Sequence, residues 1–225
     1  VENLFSSIGN IISKLLWTIS TFLMLIMDIF EFISYSLIGI NFGMKDFENL
    51  LAECKKRGIS VIIDMTCNHS SAYNDWFIKS KDAKSPYRTW YRWINDLDFA
   101  ENGGPYNRNQ KGLAGNIWTI DMTSPVLDDN GKPVLDKGGL AVMNYYAGLF
   151  STQMPDLNMD EPAVREEFKK IFKFWLDKGV SGFRFDAAKH IETPDDGKYA
   201  SDFWPNVLNS ADEYAASKNS TLYYY

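Results

Sequence analysis

Apolar positions in this chain recur with two periods, and the switch between them marks its elements. Phe47, Leu50, Leu51 and Cys54 fall at i, i+3, i+4 and i+7, the spacing of one helical face, so an amphipathic helix is expected over 46–57. Lys55, Lys56 and Arg57 gather at its C-terminal end and Gly58 is the stop. Ile59, Val61, Ile62 and Ile63 then run almost unbroken, which suits a strand buried on both faces of a parallel sheet. The same order returns downstream. Asp160 is a candidate N-cap and Pro162 suits a first helical turn. Val164, Phe168, Ile171, Phe172, Trp175 and Leu176 mark one helical face, Gly179 ends it, and 180–186 reads as the next strand. A further helix is expected over 203–218 and a further strand over 221–225. Helix, glycine and apolar strand in repetition define βα units, hence an α/β fold.

Between the first two strands lie about 90 residues without a clear period, rich in clusters such as Glu101-Asn102-Gly103-Gly104-Pro105 and Asp128-Asp129-Asn130-Gly131. An insertion of that length in a compact domain is expected to be a functional lobe rather than a plain loop. At the other extreme stands the Leu/Ile/Phe-rich stretch 11–40, interrupted by Lys14, Asp28 and Glu31. Its longest early uncharged run, between Lys14 and Asp28, is 13 residues, short of the 18 or more of a spanning helix. A signal-peptide core has that length, but no small-residue cleavage site follows. A membrane helix over 15–33 would have to carry Asp28 and Glu31, each costing about 2.5–3.5 kcal/mol at its centre.

Composition narrows the partners. The 225 residues suffice for a sizeable core. A net charge of −6, with no basic run, argues against a nucleic-acid partner. Seven Trp, 12 Tyr and 15 Phe serve either a core or a cleft that stacks sugar rings, and composition does not separate the two. Cys54 and Cys67 make no disulfide framework; both are expected to be buried free thiols.

The chemistry concentrates in Gly182-Phe183-Arg184-Phe185-Asp186-Ala187-Ala188-Lys189-His190. A strand that turns from apolar to Arg-x-Asp at its C-terminal end is how a β/α barrel presents a catalytic carboxylate. Arg184 and Asp186, two apart, share one side of the strand, where a guanidinium favours the charged carboxylate. A structural Arg–Asp pair is the plain alternative. The nonapeptide resembles the second signature region of the α-amylase family of glycoside hydrolases. Asp64-Met65-Thr66-Cys67-Asn68-His69 is similar to that family's first region, and Met154-Pro155-Asp156-Leu157-Asn158 to the short signature ahead of the nucleophile strand. The three occur in the family's order, and the resemblance covers residues 42–225.

The resemblance implies a partial TIM (β/α)8 barrel with an irregular lobe inserted after the third strand. The chain then divides into an apolar segment 1–41, a first barrel part 42–69, the lobe 70–159 and a second, truncated barrel part 160–225. It further implies Asp186 as nucleophile, Arg184 as its partner, His69 as donor to a sugar hydroxyl, and Lys189 and His190 as contacts on the leaving-group side. Tyr73, Trp76, Phe77, Tyr87, Trp90, Tyr91, Trp93 and Trp118 are candidate sugar contacts, with packing of the lobe's own core as the competing role. Asn68 and Asp156 match positions that bind Ca2+ in many relatives; oxygen ligands suit that ion, but two fall short of six to eight.

The expected activity is retaining hydrolysis, or transfer, at α-1,4 and, as a further option, α-1,6 links of glucans or malto-oligosaccharides. The family's acid/base Glu belongs to the strand expected at 221–225, where this sequence carries none. The chain is therefore read as a fragment, inactive as it stands, with 1–41 translated out of frame or joined from elsewhere. A non-catalytic, membrane-attached sugar-binding remnant is the alternative. Localisation stays open between cytoplasmic and secreted, as does membrane association.

Overall fold

The computed structural model describes residues 43–191 and 202–225. The chain divides into two compact units, 1–50 and 51–225. Of the first unit the described part, 43–50, holds the opening turns of helix α1 (Met44–Lys56). Asp46 caps this start by accepting from the Gly43 amide at 3.0 Å. At the far end Gly58 adopts a left-handed φ of 69°, and the Ile59 amide reaches back to Cys54 at 2.9 Å, which satisfies otherwise orphaned carbonyls. The buried stripe is narrower than the periodicity implied: Leu51 is buried, Cys54 half-buried, and Leu50 is 53% exposed.

The second unit runs β1 (Ile62–Thr66), α2 (Asp75–Ser80), β2 (Trp93–Asn95), β3 (Trp118–Pro125), β4 (Met143–Ala147), α3 (Pro162–Lys178), β5 (Gly182–Asp186), α4 (Phe203–Ser217) and β6 (Tyr223–Tyr224). Two sheets result. One is parallel, in the order β1-β5-β6. The other is antiparallel, in the order β2-β4-β3. The parallel sheet has three strands, and no closed barrel forms among the described residues. β1 begins at Ile62 rather than Ile59, and its burial alternates, with Met65 inside and Ile62 exposed. Among the described strands β1 pairs with β5 alone.

Helix α3 covers the parallel sheet. Its N-cap is Glu161, which accepts from the Ala163 amide at 3.3 Å, in place of the expected Asp160. Asp160 instead faces Arg92 at 3.4 Å. Pro162 opens the helix and Gly179, at φ 102°, closes it, as read from sequence. Val164, Phe168 and Phe172 are buried, and Phe172 stacks on Phe183 of β5 at 4.7 Å. Phe168 meets Phe203 of α4 edge-on at 6.3 Å. Each such buried side chain contributes about 1.5–3 kcal/mol. Gly182 is required where β6 crosses: a Cβ there would lie 1.9 Å from the Tyr223 carbonyl oxygen.

The lobe is more regular than its sequence. β4 is its central strand, buried from Asn144 to Ala147. Ile94, Phe99, Ile117, Trp118, Tyr145 and Ala147 form one core cluster. Phe77 anchors a second, with Tyr91, Trp93 and Tyr146 rings at 5.1, 5.6 and 4.8 Å. Arg108 lies over Phe99 at 4.0 Å while donating to Asp96, Glu101 and the Tyr145 hydroxyl. A register shift between Asp121 and Pro125 and a β2 of three residues hide the strand period.

Candidate active site

The parallel register assembles the site. Asp64 stands opposite Arg184, and Thr66 opposite Asp186, so both strands deliver polar residues at their C-terminal ends, the face on which barrel chemistry sits. Arg184 bridges two carboxylates: Nη1 donates to Asp64 Oδ1 at 2.5 Å and Nη2 to Asp186 Oδ1 at 3.1 Å. The Asp186 side chain is 53% exposed. Immediately after it Ala187 takes a left-handed φ of 56°, a conformation costing a non-glycine residue roughly 1–2 kcal/mol. The turn leads into a 3-10 segment, Ala188–His190, which leaves Lys189 exposed and His190 half-buried.

The loop after β1 is zipped to the 154–158 segment. The amides of Leu157 and Ser70 donate to the carbonyls of Asn68 and Pro155 at 2.9 and 3.1 Å, and His69 pairs with Asp156 as an antiparallel bridge. Phe150, from the lobe, sits between the two histidines of the chain, 5.1 Å from the His69 ring and 5.3 Å from that of His190. Burial pushes the His69 imidazole below its ordinary pKa, against the opposing pull of the Asp186 charge, which favours the neutral ring. Burial also pushes the Asp156 carboxyl up to about 6, although hydrogen bonds from the Leu149 amide and Asn68 act the other way.

The structure thus brings Asp186, Arg184, His69 and His190 to the same strand ends, with Lys189 adjoining and Asn68 and Asp156 joined to each other beneath. Sequence reasoning missed two members. Asp64 opens the first signature and its register partner is Arg184, which strand order alone reveals. Phe150 carries no periodic signal. Of the aromatic candidates, Phe77, Tyr91 and Trp118 are buried in the lobe, and Trp76, Tyr87 and Trp90 pack on one another. Tyr73 stands 80% exposed. Cys67 is buried and free, and Cys54 free but half-buried. A cavity of about 380 Å³ lies in the lobe beside Arg88, Arg92, Trp93, Trp118, Asn158 and Asp160, and none of the proposed catalytic residues lines it.

The Asn68–Asp156 pair supplies at most two residues toward the six to eight oxygen ligands of calcium. Asp156 Oδ1 accepts from Asn68 Nδ2 at 3.0 Å and Oδ2 from the Leu149 amide at 2.9 Å. Each carboxylate oxygen therefore accepts one N–H, and Asn68 turns its nitrogen, a poor cation ligand, toward them. No cluster of three or more His, Cys, Asp or Glu suited to a metal occurs among the described residues. Nor, among them, is any helix long and apolar enough to cross a membrane; the stretch 11–40 lies outside the described residues.

The parallel strands thus end in a guanidinium-bridged carboxylate pair with histidines nearby, and comparison with known proteins gives the family. The family model described as "Alpha amylase, catalytic domain" matches residues 29–220, so the chain belongs to the α-amylase family of glycoside hydrolases. The match begins at residue 29, inside the apolar stretch and ahead of residue 42, where the motif-based resemblance starts. The chain is 39% identical over 153 residues to alpha-amylase 3 of Dictyoglomus thermophilum, covering 68% of this chain and 24% of that protein. It is 36% identical over 163 residues to an oligo-1,6-glucosidase of Halalkalibacterium halodurans, covering 72% of this chain and 25% of that one. The isomaltulose synthase SmuA from Protaminobacter rubrum superposes with a TM-score of 0.58 at 30% identity, over 82% of this chain and 32% of that structure. The chain thus spans about a quarter of the length of the curated relatives it matches.

Proposed function

We propose that this chain carries the nucleophile side of a retaining glycosidase site acting on α-1,4-linked, and by extension α-1,6-linked, glucans or malto-oligosaccharides. Asp186 attacks the anomeric carbon, forming a glycosyl ester as the glycosidic bond breaks. Arg184 holds the carboxylate in place, His69 donates to a hydroxyl of the sugar being cut, and Lys189 and His190 contact the sugar that leaves. The observation that carries this reading is the Arg184 bridge, which fixes Asp186 at an exposed strand end beside His69 and His190. Relatives named as an amylase and an oligo-1,6-glucosidase support the substrate class. Water or a second sugar resolves the ester, so hydrolysis and transfer share the same first step. The Asn68–Asp156 pair is read as a hydrogen-bonded junction of lobe and strand ends rather than an ion site.

A retaining reaction also needs a carboxylic acid about 5–5.5 Å from the nucleophile, and a positioned acid contributes about 10²–10⁴-fold. Asp64 stands beside Asp186, yet it too accepts from Arg184, and a carboxylate held by a guanidinium is no proton donor. Asp64 therefore does not serve as that acid, and a module that binds glucan without cutting it is the second reading. A 5-fluoro-α-glucosyl fluoride separates the two, because fluoride departs without protonation. The expected result is one glycosyl adduct on the peptide bearing Asp186, absent in Asp186→Asn. An adduct on another carboxylate would refute the nucleophile assignment, and glucan retention with no adduct would establish the binding reading.

A further inference from the structure

The geometry points to Asp156 as a positioning residue that, through Asn68, sets which ring nitrogen of His69 carries the proton. Asp156 is 9% and Asn68 3% exposed. One Asp156 oxygen, Oδ2, is committed to the Leu149 amide at 2.9 Å. The other, Oδ1, faces Asn68 at 3.0 Å. An ionised carboxylate only accepts, so Asn68 must turn its NH2 rather than its carbonyl toward Asp156.

The same Asn68 Nδ2 stands 3.4 Å from His69 Nδ1. An amide nitrogen has no lone pair to offer, so Nδ1 must face it unprotonated, and the proton resides on Nε2. Backbone pairing holds the parts in place: the Asp156 amide donates to Ala147 at 2.9 Å, and the Leu157 amide to the Asn68 carbonyl at 2.9 Å. Residues from the lobe end and from the loop after β1 thereby act on one imidazole. Resting on the glycosidase reading, the consequence is that Nε2–H is the donor His69 offers to the sugar.

The test is the tautomer itself, read by two-bond ¹H–¹⁵N correlation on the full chain labelled with ¹⁵N-histidine. At about pH 8 imidazole is neutral, and with two histidines in the chain a His190→Gln variant completes the assignment. Unmodified protein should show Nε2–H at His69. In Asp156→Asn the Leu149 amide still claims the side-chain oxygen, so the new NH2 faces Asn68. Asn68 then flips, its oxygen turns to His69, and the proton moves to Nδ1. A folded Asp156→Asn chain that keeps Nε2–H overturns the proposal. Should that variant not fold, Asn68→Asp tests the link from residue 68 to His69: a carboxylate beside Nδ1 should draw the proton there, and a folded variant that keeps Nε2–H overturns the proposal. The spectrum needs no sugar, so it stands or falls apart from the glycosidase reading. Where the fluoride labels Asp186, Asp156→Asn should also raise its half-saturating concentration about tenfold, the worth of one hydrogen bond, and change the saturated rate less.

Discussion

The parallel-sheet part and the lobe bury their aromatic residues by different means. In the first, α3 lays Phe168 and Phe172 against β5 and α4 at helical spacing, so one repeating pattern builds helix and sheet together. In the lobe, burial is carried by rings meeting rings around Phe77 and by arginines lying on aromatic faces, Arg88 over Trp93 at 4.2 Å and Arg108 over Phe99 at 4.0 Å. The parallel part brings Asp64, Arg184 and Asp186 into one row through register. The lobe adds single groups, Phe150, the Leu149 amide and Asp156, whose usefulness depends on where they are held. Regular pairing sets the chemistry, and irregular packing surrounds it.

Removing one ring from each part breaks the comparison most directly. Phe172→Ala and Phe77→Ala each empty a fully buried site and should cost about 3–5 kcal/mol. Hydrogen exchange should show Phe77→Ala loosening β2, β3 and β4 first, and Phe172→Ala loosening α3 and β5 first. Uniform loss of protection in both variants would mean that the two parts unfold as one.

Arg108→Met sharpens the lobe half. It keeps some of the contact with Phe99 but takes the cation from Asp96, whose carboxyl still accepts from the Met143 amide and the Tyr145 hydroxyl. A loss of about 1–3 kcal/mol in urea unfolding is expected, and a neutral outcome would reduce the cluster to a solvated ion pair.

The smallest effect is a pH window. Burial pushes the Tyr91 hydroxyl, which meets Ser70 Oγ at 2.6 Å, up to about 12. The folded state thus holds its proton more tightly than the unfolded chain, whose tyrosines titrate near about 10. The stability this confers is complete below pH 10 and is lost as pH rises through about 12. Tyr91→Phe should lower stability at neutral pH by about 1 kcal/mol and flatten the decline between about pH 10 and 12, followed by tryptophan fluorescence. An unchanged alkaline slope would count against Tyr91 as its source.

Helices α1 and α3, their glycine stops and the Arg184–Asp186 strand end follow from residue spacing, because local geometry repeats every 3.6 or 2 residues and solvent selects the apolar face. The three ordered signatures place the chain in its family for the same reason: each is short, contiguous and chemically specific. Other features depend on neighbours distant in sequence. β4 and its central place in the lobe, the N-cap at Glu161 rather than Asp160, and the exposure of Ile62 belong to this group. So do the Asp64 carboxylate on Arg184, Phe150 between the two histidines, and Asp156 joined to Asn68 across 88 residues. Residue spacing determined which elements form and which groups can react. Tertiary structure alone decided which groups meet, because hydrogen bonds and ring contacts depend on ångström-scale separations that no local period encodes.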